Sequence, residues 1–208
     1  MFYEIATLTL PFGTAAPANA GVEAFSTSPG AGGELLGVWF SDIGVLNQMI
    51  VLRGFGSAEA LWAERERTQR HADPFGCGAL YVDLALHAYR GFPWMKPVRP
   101  SAESGILGPV YEIRTYGIKP GGVRPTSDLW EQYLPARHER SPCVAAMVAL
   151  DGSPRFTNIW AYPSLDARGR AAPQPGADGT RPRRGGPAWL TTSMTSTIAL
   201  PTAASRLR

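Results

Sequence analysis

Cysteine and histidine are scarce in this chain, and their scarcity removes much chemistry. Two cysteines, Cys77 and Cys143, and three histidines occur in 208 residues. No CxxC pair, HxH, HxxE or carboxylate-bridged pattern is present, so neither a structural zinc site nor a catalytic metal is expected. The two isolated thiols read as buried small hydrophobes. Charge is sparse as well: 18% of residues are charged and the net charge is +3, with no basic face or nucleic-acid motif. Nucleic acid is therefore not an expected partner. No run approaches the ~18 apolar residues of a membrane span. The opening Met1-Phe2-Tyr3-Glu4-Ile5 enters a strand-like segment directly, without the basic and apolar regions of a signal peptide. The expectation is a cytoplasmic protein with no membrane insertion. Also missing are a GxSxG elbow, a P-loop and a strand-linked GxGxxG. The basic cluster Arg181-Pro182-Arg183-Arg184, inside a Gly/Pro/Arg-rich stretch from Ala171 to Pro187, reads as solvated loop.

What is present is a repeat. Phe2-Tyr3-Glu4-Ile5-Ala6-Thr7 returns as Val110-Tyr111-Glu112-Ile113-Arg114-Thr115, and Leu52 to Ala60 returns as Ile159 to Ala167. The offsets, 108 and 107 residues, differ by one, which points to duplication of a unit of about 100 residues, the size of a small domain. Each unit spells β, helix-like segment, β, β, helix, β. The first has strands over Phe2 to Leu10, Leu35 to Phe40, Gln48 to Arg53 and Ala79 to Tyr89. It allows a short helix within Pro17 to Phe25 and a longer one over Ala58 to Ala72, with Ser57 as N-cap. The second has strands over Val110 to Ile118, Val144 to Leu150, Arg155 to Tyr162 and Trp189 to Leu200. Its helices run from about Ser127 to Arg140 and, capped by Ser164, over a short stretch after it. The βαββαβ order is the ferredoxin-like plan, an α+β fold with both helices on one face of a four-stranded antiparallel sheet. The units are expected at 1–98 and 110–208, joined by a proline-rich linker at 99–109.

Few residues carry a chemical signal. On the Ala79 to Tyr89 strand, period-two alternation puts Tyr81, Asp83, His87 and Tyr89 on one face. His87 could serve as a base or hydrogen-bond donor, although Asp83 is about 13 Å along the strand. The alternative is an amphipathic strand packed on a partner sheet. Glu112 and Arg114 share a face of their strand, and Ala6 stands where the first copy would match Arg114. Arg114 could hold a carboxylate or other anion; the alternative is a structural ion pair. Arg137, His138 and Arg140, and His71 in the first unit, suit helix C-termini through the dipole, with anion binding as the rival reading.

The same residues resemble the NIPSNAP family. The family opening is matched by Val110-Tyr111-Glu112-Ile113-Arg114-Thr115-Tyr116 with Lys119-Pro120-Gly121. A second signature is matched by Ile159-Trp160-Ala161-Tyr162-Pro163-Ser164-Leu165-Asp166-Ala167-Arg168, and a third by Gly186-Pro187-Ala188-Trp189-Leu190. The first unit keeps Tyr3-Glu4-Ile5 and Ser57-Ala58-Glu59-Ala60 but has Leu10-Pro11-Phe12-Gly13 in place of Ile118-Lys119-Pro120-Gly121. The resemblance implies a dimeric α+β barrel, two ferredoxin-like sheets face to face, supplied by one chain or by paired chains in a homo-oligomer. By analogy with that barrel class it implies a small-molecule site for an apolar or aromatic compound. Tyr81, Tyr89, Glu112, Arg114, Trp130, Tyr133 and Trp160 are the candidate ligand-binding residues, and His87 and Arg114 the candidate catalytic ones. No cofactor is expected; haem, with His87 or His138 as axial ligand, is the outlying option. The alternative function is a non-enzymatic interaction or scaffold protein, and a filled barrel interior would favour it.

Overall fold

The computed structural model describes residues 1–105, 108–139, 141–171 and 186–208. The first unit comprises β1 (Phe2–Thr9), α1 (Ala15–Thr27), β2 (Glu34–Ile43), β3 (Gln48–Phe55), α2 (Ala58–Arg70), a 3-10 turn (Pro74–Gly76) and β4 (Asp83–Gly91). After a single turn of helix, α3 (Ser101–Ser104), come β5 (Val110–Ile118), α4 (Val123–His138), β6 (Cys143–Ala149) and β7 (Arg155–Tyr162). Then follow α5 (Leu165–Ala171), α6 (Gly186–Trp189) and β8 (Leu190–Pro201). The strands hydrogen-bond in the order β1-β3-β2-β8-β5-β7-β6-β4 and close into a barrel. Opened at the β2/β8 and β4/β6 seams, the ring gives β4-β1-β3-β2 and β8-β5-β7-β6, the same ferredoxin-like order twice. The two-sheet arrangement thus closes within one chain. Closure also protects the outer strands of each sheet, whose unpaired N–H and C=O groups would otherwise face solvent.

Side chains alternate between the barrel interior and the outer, helix-covered faces. One buried cluster draws on all eight strands and so marks the interior; Tyr3, Trp39, Tyr89, Tyr111, Met147 and Ile159 belong to it. Val98 and Leu207 join it from outside the strands and close one end of the barrel. The outer face of sheet one packs Leu8, Val38 and Val51 against Val22 and Phe25 of α1. The outer face of sheet two packs Phe156, Trp160 and Ile198 against Leu134 of α4. Among the described residues the barrel interior is filled by the side chains of this cluster. A cavity of about 210 Å³, lined by Met1, Tyr3, Arg90, Phe92 and Met95 among others, lies where β1 and β4 meet the segment after β4. It is smaller than the ~300 Å³ typical of ligand pockets.

Several local expectations change. The strand expected from Ala79 begins at Asp83, because Gly78 N–H is held by Asp73 Oδ1 at 2.5 Å and Leu80 N–H by Cys77 C=O at 2.8 Å, wrapping the chain into turns. Both α1 and α4 start earlier than expected, at Ala15 and Val123. Pro17 and Pro125 fall in their first turns, where no intrahelical N–H partner is lost. Ser57 and Ser164 cap as expected, their Oγ atoms accepting the Ala60 and Ala167 N–H groups at 3.2 and 3.0 Å. The inter-unit segment is tied down rather than loose: Val98 N–H donates to Tyr3 Oη at 3.0 Å and Ser101 N–H to Arg206 C=O at 2.8 Å. Residues 106–107, Arg140 and the basic cluster at 181–184 lie outside the described residues.

Candidate functional site

The sequence-derived candidates separate into two places. Tyr81 joins the outer cluster of sheet one. Tyr89 points into the barrel, and His87, two residues earlier, shares its side of β4. The partner of His87 is not Asp83 but Asp151, from the β6–β7 turn, with Nδ1 and Oδ1 3.6 Å apart. Asp151 joins the two units. It accepts Ala88 N–H at 2.7 Å and Arg65 Nη1 at 3.1 Å from unit one, and Arg155 Nη2 at 2.8 Å from its own unit. Burial raises the Asp151 pKa, but these donors outweigh it and hold the carboxyl below its ordinary range. Burial, aided by the Arg155 charge, pushes the His87 pKa down, so the ring favours its neutral form. Arg155 lies 5.4 Å from the Tyr89 ring centroid, Thr157 Oγ1 donates to Tyr89 Oη at 3.3 Å, and Thr115 and Thr157 hydroxyls are 2.9 Å apart. This is a polar seam held together mostly by its own side chains, with Arg65 Nη2 left without a partner and His87 half-exposed at its rim.

The second place is the outer face of sheet two. Here β5 presents Glu112, Arg114 and Tyr116, β7 presents Phe156, Asn158, Trp160 and Tyr162, and α4 lies across them. Glu112, almost fully buried, accepts from Arg168 Nη2 and Ser196 Oγ, both at 2.7 Å, and from Tyr162 Oη at 3.2 Å. Arg114 stands 3.6 Å away. Burial alone would raise the Glu112 pKa; Arg168, Ser196 and Arg114 reverse this and keep it ionised. Burial, with Glu112 nearby, pushes the Tyr162 phenol up to about 12, so it remains a donor. Beside this polar group is an aromatic one. Trp130 of α4 makes an edge contact with Phe156 at 4.7 Å and lies 6.1 Å from Trp160, while Tyr116 stacks on Phe156 at 6.1 Å. Trp130 and Tyr116 are half-buried, as is Tyr133 one turn of α4 further on.

Three residues of this layer, Arg168, Asn158 and Ser196, were not singled out by sequence as site residues. Arg168 is the closest cation to Glu112. Arg137, in the last turn of α4 as expected, also lies over the Trp160 ring at 4.3 Å. Asn158 accepts the Trp160 indole N–H, and Ser196 reaches Glu112 from β8. A lone amide at Asn158, inside the apolar-facing half of a buried strand, was the available signal. Of the other helix-end histidines, His138 Nδ1 accepts Cys143 N–H at 3.1 Å and His71 contacts its own turn and the Phe25 ring. His87 and His138 therefore sit on different faces of the fold, and the interior beside His87 is packed with side chains.

The matching layer in unit one is closed. Glu4, the counterpart of Glu112, is ion-paired with Arg53, and Arg53 continues to Glu64 of α2 at 2.5 Å. Arg65 adds a second cation to Glu4 at 3.1 Å. Two helices of 13 residues cover that face, whereas α5 in unit two has seven residues and buries none of them.

The profile of the NIPSNAP family matches residues 3–76 and 111–206. No curated protein matches the sequence. Among solved structures, the chain is similar to an anthrone oxidase-like protein at 11% identity, covering 97% of this chain and 91% of that one, with a TM-score of 0.69. It is similar to a candidate monooxygenase from Lactobacillus acidophilus NCFM at 12% identity, covering 96% and 93%, with a TM-score of 0.64. A NIPSNAP family protein of unknown function from Agrobacterium tumefaciens C58 is 30% identical over 48% of this chain and 89% of its own, with a TM-score of 0.33. The first two similarities, at such low identity, speak to fold alone. With both units matched by one family profile in sequence order, the chain belongs to the NIPSNAP family.

Proposed function

We propose that this protein binds a small aromatic molecule on the outer face of sheet two, in the layer between β5, β7 and α4. The observation that carries this reading is the aromatic group in which Trp130 and Tyr116, both half-buried, cover the fully buried Phe156 and Trp160, on a sheet whose partner in unit one is sealed by two long helices. Offset and edge-on ring packing at such a surface favours a planar guest. Glu112 and Tyr162 hold fixed protonation states here, so the layer supplies orientation and donors rather than a nucleophile. The names of the two structural neighbours make oxygenation of an electron-rich aromatic, without metal or cofactor, the first activity to assay. Native mass spectrometry of the purified protein, followed by tryptophan-fluorescence titration with naphthalene-sized aromatics, tests the binding. A saturable quench that disappears in Trp130→Ala is the expected result; no saturable quench with any such compound would overturn it.

A second reading, protein association, draws on a different surface. Ile43, Val45 and Leu46 of the β2–β3 hairpin are each more than half exposed, beside a stretch of β8 that hydrogen-bonds to β5 but not to β2. The expected homo-oligomer attaches to this surface, and sedimentation of Val45→Glu against the parent chain tests it.

A further inference from the structure

We propose that the aromatic ligand carries an anionic oxygen group, an aromatic carboxylate in the first instance, held by Arg114 and Asn158 with Arg137 alongside. This rests on the aromatic layer being a binding site and names the class of compound that it takes. The observation is a set of N–H donors with nothing to donate to. Asn158 is fully buried, and its Nδ2 has no hydrogen-bond partner. Its orientation is fixed, because the Trp160 indole N–H engages Oδ1 and leaves the amide nitrogen turned the other way. Arg114 Nε and Arg137 Nε are also buried without partners. Arg114 and Asn158 are directly opposed across the β5–β7 pair and share its outer face, and Arg137 covers the Trp160 ring that orients Asn158.

A buried donor without an acceptor costs about 1–3 kcal/mol, and folded proteins rarely tolerate several together. All three orphaned groups here are donors, and two belong to permanent cations. Glu112, the carboxylate of this layer among the described residues, is already engaged by Arg168, Ser196 and Tyr162. Arg168 and Arg114 therefore share the charge of Glu112, and Arg137 lies close by over Trp160, which leaves an excess of positive charge that a bound carboxylate would neutralise. The aromatic side chains flank this donor set through Trp160, so a ring with a carboxylate at one end fits both halves. The first unit also buries unpartnered arginine nitrogens, Arg53 Nε and Arg65 Nη2, but these guanidinium groups are neutralised by Glu4, Glu64 and Asp151, and Ala6 and Arg53 stand in place of Arg114 and Trp160.

Isothermal titration with 2-naphthoate and with its uncharged methyl ester separates the two ideas. The expected result is at least tenfold tighter binding of the carboxylate, weakened by added salt. Arg114→Gln should remove most of that preference, weakening the carboxylate far more than the ester. Asn158→Asp, of nearly the same shape, should oppose the carboxylate and not the ester, and Arg114→Lys serves as the milder variant if either fails to fold. Equal affinity for the two compounds would overturn the anionic assignment and leave the aromatic site standing. Binding of neither would remove the aromatic site, and this inference with it.

Discussion

Arg53 shows at the scale of one residue how unit one differs from unit two. Its guanidinium is almost fully buried, pairs with Glu4 and Glu64, and lies 4.8 Å from the Phe75 ring. Such a group is kept in place by its partners and costs much when one of them is removed. Trp160 takes the same position in unit two and exchanges that ion network for a buried aromatic cluster. Titration follows from these local environments. The folded His87 pKa is lowered from about 6.5, so protons prefer the unfolded chain. Its contribution to stability is complete above that value and is lost as pH falls toward the folded pKa. Glu64, Glu112 and Asp151 are also lowered, against burial, by their arginine and N–H partners. Their contribution is present above about pH 4–4.5 and is lost as pH falls through the folded values. Urea midpoints measured from pH 8 to 4 should thus fall in two stages, a shallow one from about pH 6.5 and a steeper one below about 4.5. His87→Gln should erase only the first. A flat parent profile between pH 7 and 5 would contradict the assigned direction for His87.

At the scale of elements, the helices decide how much of each sheet is covered. Helix α1 meets the 3-10 turn backbone to backbone: a Cβ added at Gly21 would lie 2.2 Å from Gly76 C=O. The turn holds Phe75 at a positive φ of 57° and fully buried beneath α1. Gly21→Ala should therefore destabilise the protein by about 1–3 kcal/mol despite its better helix propensity. Chemical denaturation reads this directly, and a neutral or stabilising effect would disprove the close contact. The sequence made the paired strands legible, since β1 with β5 and β3 with β7 carry the repeated blocks and strong alternation. It gave less warning of the helix starts, because Pro17 and Pro125 look like breaks until they fall in a first turn. The site was half legible for a similar reason. Glu112, Arg114, Trp130 and Trp160 stand out as residue types, but Arg168, Asn158 and Ser196 reach the layer only through pairing and turning of distant elements. The Tyr81 to Tyr89 face failed as a unit because turns at 78–80 separate Tyr81 from the strand.

For the whole molecule, closure depends on contacts between remote parts of the chain. Strand β2 pairs with β8, and beyond it Thr202 and Arg206 N–H groups continue to Val38 and Leu36 C=O at 2.9 and 3.0 Å. Leu207 is fully buried in the core shared by all eight strands. Leu207→Ala should cost about 2–5 kcal/mol, as for any buried leucine, and should lower the urea midpoint without changing the strand content seen by circular dichroism. A change below about 0.5 kcal/mol would place that side chain outside the core.

The Val38 N–H to Ser205 Oγ bond joins positions 167 residues apart. During synthesis β2 is made well before its neighbour β8, so one edge of sheet one stays open while the strands between them are translated. A nascent chain in that state is a template for any passing strand. Chaperone dependence of the nascent chain should therefore persist until β8 has emerged: a chain arrested while β8 is still inside the ribosome keeps an unsealed barrel, and one arrested after Leu207 has come free does not.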